Sequence, residues 1–242
     1  MTALEQPPTR RSDPPQPVPP AAPDRIASDR IAPGDQRLVL DGVSWRDYVA
    51  IGEILRDRPV YMTFDRGRLE IMTKGLHHEG TSRLLLMLLT TALQVWRVPF
   101  RLGGSTTFRR EELEKGLEPD ECLWIAGERA LRGVREWDPA VHPPPDLAVE
   151  IDFTSSSVDR MGIYAALGVP EVWRFDGRTL TVVGLEGGAY RTVERSRWLP
   201  QLAPAEALRF LHAYGSTDDG TWLEEFREWA KGLPPDAGNR KD

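Results

Sequence analysis

The chain has 242 residues, with 31 Lys and Arg against 37 Asp and Glu, a net charge of −6, and a residue content that is 40% hydrophobic and 28% charged. This supports a buried core and weighs against a globally basic nucleic-acid binder, while leaving room for a local basic groove. No run reaches the ~20 apolar residues of a membrane-spanning helix, there is no secretory signal pattern, and the single cysteine, Cys122, excludes an internal disulfide and a Cys-rich zinc site. A soluble cytoplasmic protein is expected.

Residues 1–35 carry nine prolines among Ala, Asp, Arg and Gln and almost no large apolar side chain. Such a segment buries too little surface to offset its conformational entropy, which predicts a disordered or polyproline-like tail. Ser44 is placed to cap a helix over Trp45 to Leu55, where Tyr48, Ile51 and Leu55 recur at helical spacing. Val60–Phe64 and Arg68–Met72 flank Asp65-Arg66-Gly67 and predict a β-hairpin. Thr81 to Trp96, apolar around most of its circumference, predicts a long buried helix, with His77 and His78 in the loop or first turn before it.

Pro99–Arg109 and Glu121–Ala126 read as strands, the first containing a turn or bulge at Gly103-Gly104. Asp146–Phe153 is a stronger strand, followed by a Thr154–Ser157 cap and a helix from about Val158 to Leu167 that ends at Gly168. Val172–Phe175, Leu180–Glu186 and Ala189–Glu194 form a meander. Helices near Ala205–His212 and Thr221–Lys231 complete the order. The pattern predicts one α/β domain over residues 36–215, with residues 216–242 forming a C-terminal helix and tail. The stripe Trp222, Phe226 and Trp229 on that last helix packs either on the chain's own core or on a partner, and a homodimer is the expectation.

Three acidic residues do not fit a solvated setting. Asp120 follows Pro119 just ahead of the apolar run Cys122–Ile125, and Glu150 and Asp152 lie within Leu147-Ala-Val-Glu-Ile-Asp152. Period-two alternation puts Leu147, Val149, Ile151 and Phe153 on one face and Asp146, Ala148, Glu150 and Asp152 on the other. A mid-strand carboxylate costs several kcal/mol unless its charge is compensated. A hard divalent cation is one compensator; a solvated sheet face would avoid the problem altogether. Asp146 either joins this acidic cluster or fixes the strand entry through local backbone bonds. Tyr164, Trp173 and Cys122 read as core, and no spacing among the four histidines matches a zinc signature.

Pro119-Asp120, Pro145-Asp-Leu-Ala-Val-Glu-Ile-Asp152, and Asp159-Arg-Met-Gly-Ile-Tyr-Ala-Ala-Leu-Gly-Val-Pro-Glu-Val-Trp173 together resemble the Uma2 family, within the PD-(D/E)XK restriction-endonuclease-like superfamily, over roughly residues 40 to 212. The resemblance implies a restriction-endonuclease-like mixed β-sheet flanked by helices, with an added antiparallel meander. It also implies a Mg²⁺- or Mn²⁺-dependent endonuclease acting on DNA. On this resemblance Asp120 and Glu150 are metal ligands and Asp152 a further ligand or proton acceptor. Glu79 matches the acidic residue of the first core helix. The superfamily's lysine, expected at position 152, is replaced by Asp152, and Arg160 stands where related sequences place a migrated lysine. Arginine neutralises phosphate but is a poor base. The departure either shifts the mechanism or marks a binding or assembly module that has lost its chemistry.

Overall fold

The computed structural model describes residues 34–154 and 156–233, so the expected Pro-rich tail lies outside the described residues except for its last two. Eleven strands and five α-helices form two sheets among the described residues. The first sheet is antiparallel and contains β1 (Gln36–Asp41), β2 (Tyr61–Asp65), β3 (Arg68–Thr73), β5 (Phe108–Arg110) and β6 (Lys115–Leu117), in the order β1-β3-β2-β6-β5. The second contains β4 (Arg101–Leu102), β7 (Glu121–Trp124), β8 (Leu147–Ile151), β9 (Glu171–Phe175), β10 (Leu180–Glu186) and β11 (Ala189–Val193), in the order β11-β10-β9-β8-β7-β4. Only β8 and β9 run parallel, and the crossover between them carries α3 (Arg160–Leu167). This is the mixed α/β architecture that the sequence predicts, with β9–β11 as its meander.

The alternation in β8 decides what each face of the second sheet meets. Leu147, Val149 and Ile151 pack against α2 (Leu76–Val95), where Leu85, Leu88, Leu89 and Leu93 are fully buried. Each such leucine contributes about 1.5–3 kcal/mol by burial. Ala148 faces the opposite way, into a cluster with Ile163, Tyr164 and Leu167 of α3 and Cys122 of β7. The helices α4 (Pro204–Ala213) and α5 (Asp219–Lys231) close the α2 side. Trp222 and Phe226 are buried there beside Phe210, so this stripe is used within the chain. A third cluster joins α1 (Trp45–Leu55) to the first sheet through Tyr48, Met62, Phe64 and Leu69.

Several boundaries differ from expectation. The run expected as one strand from Pro99 to Arg109 breaks at Gly103-Gly104: β4 pairs with β7 in one sheet and β5 with β6 in the other. Gly103 has no room for a side chain, since a Cβ there would lie 2.4 Å from the Cys122 sulfur, and Gly104 turns the chain at φ +57°. The helix expected from Thr81 begins at Leu76, which places His77, His78 and Glu79 on its first turn. The cap of α3 is Asp159, whose carboxylate accepts from the Gly162 N–H at 2.9 Å. The hydroxyls of Ser156 and Ser157 instead donate to the buried Glu70. Strands β1 and β6 have no counterpart in the sequence reading.

Away from these features, Glu171 at the start of β9 is buried and accepts from the Trp173 indole, the Ser196 hydroxyl and the Arg197 N–H. Burial pushes its carboxyl above the ordinary 4.5 despite those donors. A raised carboxyl means that the folded state holds the proton more tightly than the unfolded one, so this contribution is complete below about pH 4.5 and is lost as pH rises through the folded value. Relative to Glu171→Gln, which cannot ionise, the wild type is expected to lose stability as pH is raised from 4.5. Urea midpoints measured in parallel across that range would contradict this by changing together.

Candidate functional site

Where the edge of the first sheet meets β8 and α3, a cavity of about 380 Å³ opens. Asp120, Glu150, Asp152 and Arg160 all line it, together with Arg37, Tyr61, Thr63, Lys74, His78, Glu118 and Arg174. Glu79 is not among the lining residues. It follows the lining residue His78 on α2 and accepts a 2.9 Å hydrogen bond from the Tyr61 hydroxyl.

Asp120 sits at the entry to β7, beside β8. Its Oδ2 accepts the Ile151 N–H at 2.6 Å, which locks it to the strand carrying Glu150. Its Oδ1 meets the Lys74 ammonium at 2.7 Å and the His78 Nε2 at 2.9 Å. The other ring nitrogen of His78 lies 2.7 Å from Asp35, whose second oxygen accepts from the N–H of Gly75 at the start of α2. Burial alone would push the Asp120 carboxyl up, but the His78 contact and the Lys74 charge outweigh it and hold the group well below the usual carboxylate range. His78 is raised above its ordinary 6.5: burial opposes its charge, and Asp120 and Asp35 on either side prevail.

Glu150 points from mid-β8 to the α3 side, as the alternation requires. Arg160, first residue of α3, clasps it with Nε to Oε2 at 2.9 Å and Nη2 to Oε1 at 2.6 Å. The Tyr164 hydroxyl, one helical turn further on, also donates to Oε1. Arg160 additionally donates to the Thr63 hydroxyl and, at 2.8 Å, to the Glu118 carbonyl. Four of the five guanidinium donors are therefore committed to the protein. Burial raises the Glu150 carboxyl; Arg160 pulls it back, while the Asp120 charge adds to the rise. Tyr164, expected as core, is indeed buried, but its hydroxyl is tied to the site.

Asp152 lies one residue beyond β8. Its backbone N–H donates to the Phe175 carbonyl, and its partly exposed carboxylate faces Arg174 at 3.5 Å, so it stands nearer solvent than Glu150. Asp146 takes no part: its Oδ2 accepts from the N–H groups of Ile125 and Gly127 at 2.7 and 2.9 Å and fixes the strand entry. Next to Asp120 along the chain, Glu121 turns to Arg83 at 2.6 Å, and burial pushes its carboxyl up to about 7.

Of about four acceptor positions on each central carboxylate, Glu150 has three filled by protein donors, and Asp120 has two filled with the Lys74 ammonium as an ion pair beside Oδ1. One position remains on Asp120 Oδ2 and one on Glu150 Oε2. No group of three or more His, Cys, Asp or Glu side chains able to hold a metal occurs among the described residues. That donor set is poor for zinc or calcium. A Mg²⁺-like ion, which keeps several waters and uses one or two carboxylates together with substrate phosphate oxygens, is the divalent ion that would ask least of two carboxylates.

The sequence model of the Uma2 family, described as "putative restriction endonuclease", matches residues 45–212. The chain belongs to the Uma2 family. A solved structure titled as a putative nuclease belonging to DUF820, from Anabaena variabilis ATCC 29413, is similar at 12% identity, covering 62% of this chain and 90% of that one with a TM-score of 0.42. No curated protein matches the chain. The matched segment spans the elements carrying Asp120, Glu150, Arg160 and Lys74 but not Asp35, which the Uma2 match leaves outside.

Lys74, Asp35 and Thr63 escaped the sequence reading. None lies in a motif: Lys74 is a single cation past a strand end, and Asp35 lies in what composition assigns to the tail. Among the described residues no helix is long and apolar enough to cross a membrane.

Proposed function

We propose that this Uma2 protein is a metal-dependent endonuclease that hydrolyses DNA phosphodiester bonds, with Asp120 and Glu150 as ligands of Mg²⁺ or Mn²⁺. The observation that carries the reading is the convergence of these two carboxylates, 31 and 10 residues from their respective partners Ile151 and Arg160, on one cavity that also holds cations. A divalent ion bound there would supply positive charge to the scissile phosphate. The chain's own residues do the rest. His78, Lys74 and the Ile151 N–H fix the orientation of Asp120. Arg160 and Tyr164 fix Glu150. Asp152, a partly exposed lining residue, would accept a proton from an attacking water or add a further oxygen ligand. The remaining Nη1 proton of Arg160 and the Arg174 guanidinium, both on cavity-lining residues, would be the donors left for phosphate oxygens. Glu79 acts through Tyr61 by holding its ring against the cavity.

A second reading, a nuclease-fold binding module without hydrolysis, is favoured by one feature: position 152 carries a carboxylate, and Arg160 is mostly consumed by internal acceptors. Incubating supercoiled plasmid with the purified protein and Mg²⁺ or Mn²⁺ separates the two. Nicked and linear products that disappear with chelator support the endonuclease. Intact plasmid across both metals, alongside DNA retention that weakens with salt, would favour the module. A cytoplasmic homodimer is the proposed working form, and sedimentation of the full chain tests its oligomeric part.

A further inference from the structure

Lys74 is the least expected charge in the cavity. It follows β3 directly, and strand alternation turns it to the same side as Met72, which also lines the cavity. Its side chain is 4% exposed. A buried lysine loses hydration worth several kcal/mol, and a core position has no need of one. Its Nζ lies 2.7 Å from Asp120 Oδ1 and 3.1 Å from the centre of the Tyr61 ring. An ammonium has three donors. The carboxylate holds it as an ion pair, the Tyr61 ring face takes part of its charge, and no acceptor in hydrogen-bond geometry for Nζ occurs among the described residues. The ring is itself anchored, since the Tyr61 hydroxyl donates to Glu79. The ammonium is thus held rigidly with donor capacity left over, beside the two carboxylates and inside the space a ligand would fill. The other central cation, Arg160, has almost none left.

We infer that Lys74 contacts a non-bridging phosphate oxygen of the ligand bound in this cavity, supplying from a strand of the first sheet the ammonium that position 152 lacks. This rests on the phosphodiesterase reading for its catalytic consequence, though the phosphate contact itself does not require hydrolysis. The ligand class is a phosphate monoester or diester, held by Lys74 Nζ, the one uncommitted Nη1 proton of Arg160 and the Arg174 guanidinium.

The test uses Lys74→Met and Lys74→Gln in the full chain, with three readouts: plasmid cleavage, calorimetric Mn²⁺ titration, and calorimetric titration with inorganic phosphate. Removing a charge-assisted contact is expected to weaken phosphate binding about 10- to 100-fold and to lower cleavage by at least as much. Mn²⁺ affinity should stay level or tighten, because a cation competing for Asp120 is gone. If Lys74 only props up Asp120, Mn²⁺ binding weakens and phosphate binding does not change, and the inference is overturned. It is equally overturned if the wild type binds no phosphate. If the wild type fails to cleave yet binds phosphate in a Lys74-dependent way, the endonuclease reading falls and the contact stands. Should both variants fold poorly, the wild type carries the test: the chain has four lysines, and in protein labelled at lysine Cε, phosphate should shift the Lys74 resonance. An unmoved resonance at saturating phosphate contradicts the contact.

Discussion

Replacing Arg160 with methionine is expected to lower folding stability by about 3–5 kcal/mol, the cost of leaving a buried charge without its partner. Glu150 is 6% exposed and sits in the middle of β8, between Val149 and Ile151. Its charge is tolerated because Arg160 meets both oxygens and Tyr164 adds a third bond. Without the guanidinium, the Thr63 hydroxyl and the Glu118 carbonyl also lose a donor. Tyr164 would then make the one remaining side-chain hydrogen bond from α3 to Glu150, beside the apolar packing on Ala148. The double variant Glu150→Gln/Arg160→Met should recover most of the loss, since a neutral amide still accepts from Tyr164 and no unpaired charge remains. Chemical denaturation of the single and double variants measures this. Equal destabilisation in both would mean that the ion pair is not what makes the buried carboxylate tolerable.

Asp120→Asn is expected to reduce plasmid cleavage by about 10³-fold or more, a loss of roughly 4 kcal/mol of transition-state stabilisation. Asparagine keeps an acceptor for the Ile151 N–H but removes the negative charge that Lys74 and His78 surround. The two cations would then lose the carboxylate they share, with Asp35 still paired to His78, so stability falls as well. Cleavage should therefore be assayed well below the variant's melting temperature. His78 reports the same change: its pKa is raised partly by Asp120, and this contribution to stability is complete below about pH 6.5 and lost as pH rises through the raised folded value. In Asp120→Asn that loss moves to lower pH. Retained cleavage in a folded Asp120→Asn protein would remove Asp120 from the machinery.

The parts of the fold legible in the sequence are those where burial follows a simple period. The alternation from Leu147 to Phe153 assigned every side chain of β8 to the face it occupies, because that strand is sandwiched between α2 and α3 and a one-residue slip would invert its burial. The helix α1 was legible from Ser44, which caps it by accepting from Asp47. The start of α2 was not, because Gly75 offers no capping side chain and the first turn, Leu76 to Glu79, is largely polar. Its leading residue Leu76 is almost fully exposed and gives no periodic signal. The break at Gly103 follows from a contact with Cys122 and Trp124 on a neighbouring strand, which local sequence does not encode.

The same division holds for the cavity. Asp120, Glu150, Asp152 and Arg160 carry chemical signals in sequence because a carboxylate in an apolar strand is costly and a family pattern surrounds them. Their neighbours do not. Lys74 reaches the cavity, and Asp35 reaches the far ring nitrogen of His78, because β1 pairs with β3 and residues of the first sheet line the same cavity as β8. Glu79 has the right residue type at the start of a core helix, yet Tyr61 intervenes between it and the cavity lining.

Calorimetric titration of Mn²⁺ into the wild type and into Asp120→Asn/Glu150→Gln tests the account most directly. One saturable divalent site per chain, lost in the double variant while its melting transition remains cooperative, is the predicted result. A wild type that takes up no divalent ion, or a double variant that binds it equally well, would contradict the claim that these two carboxylates share a cation.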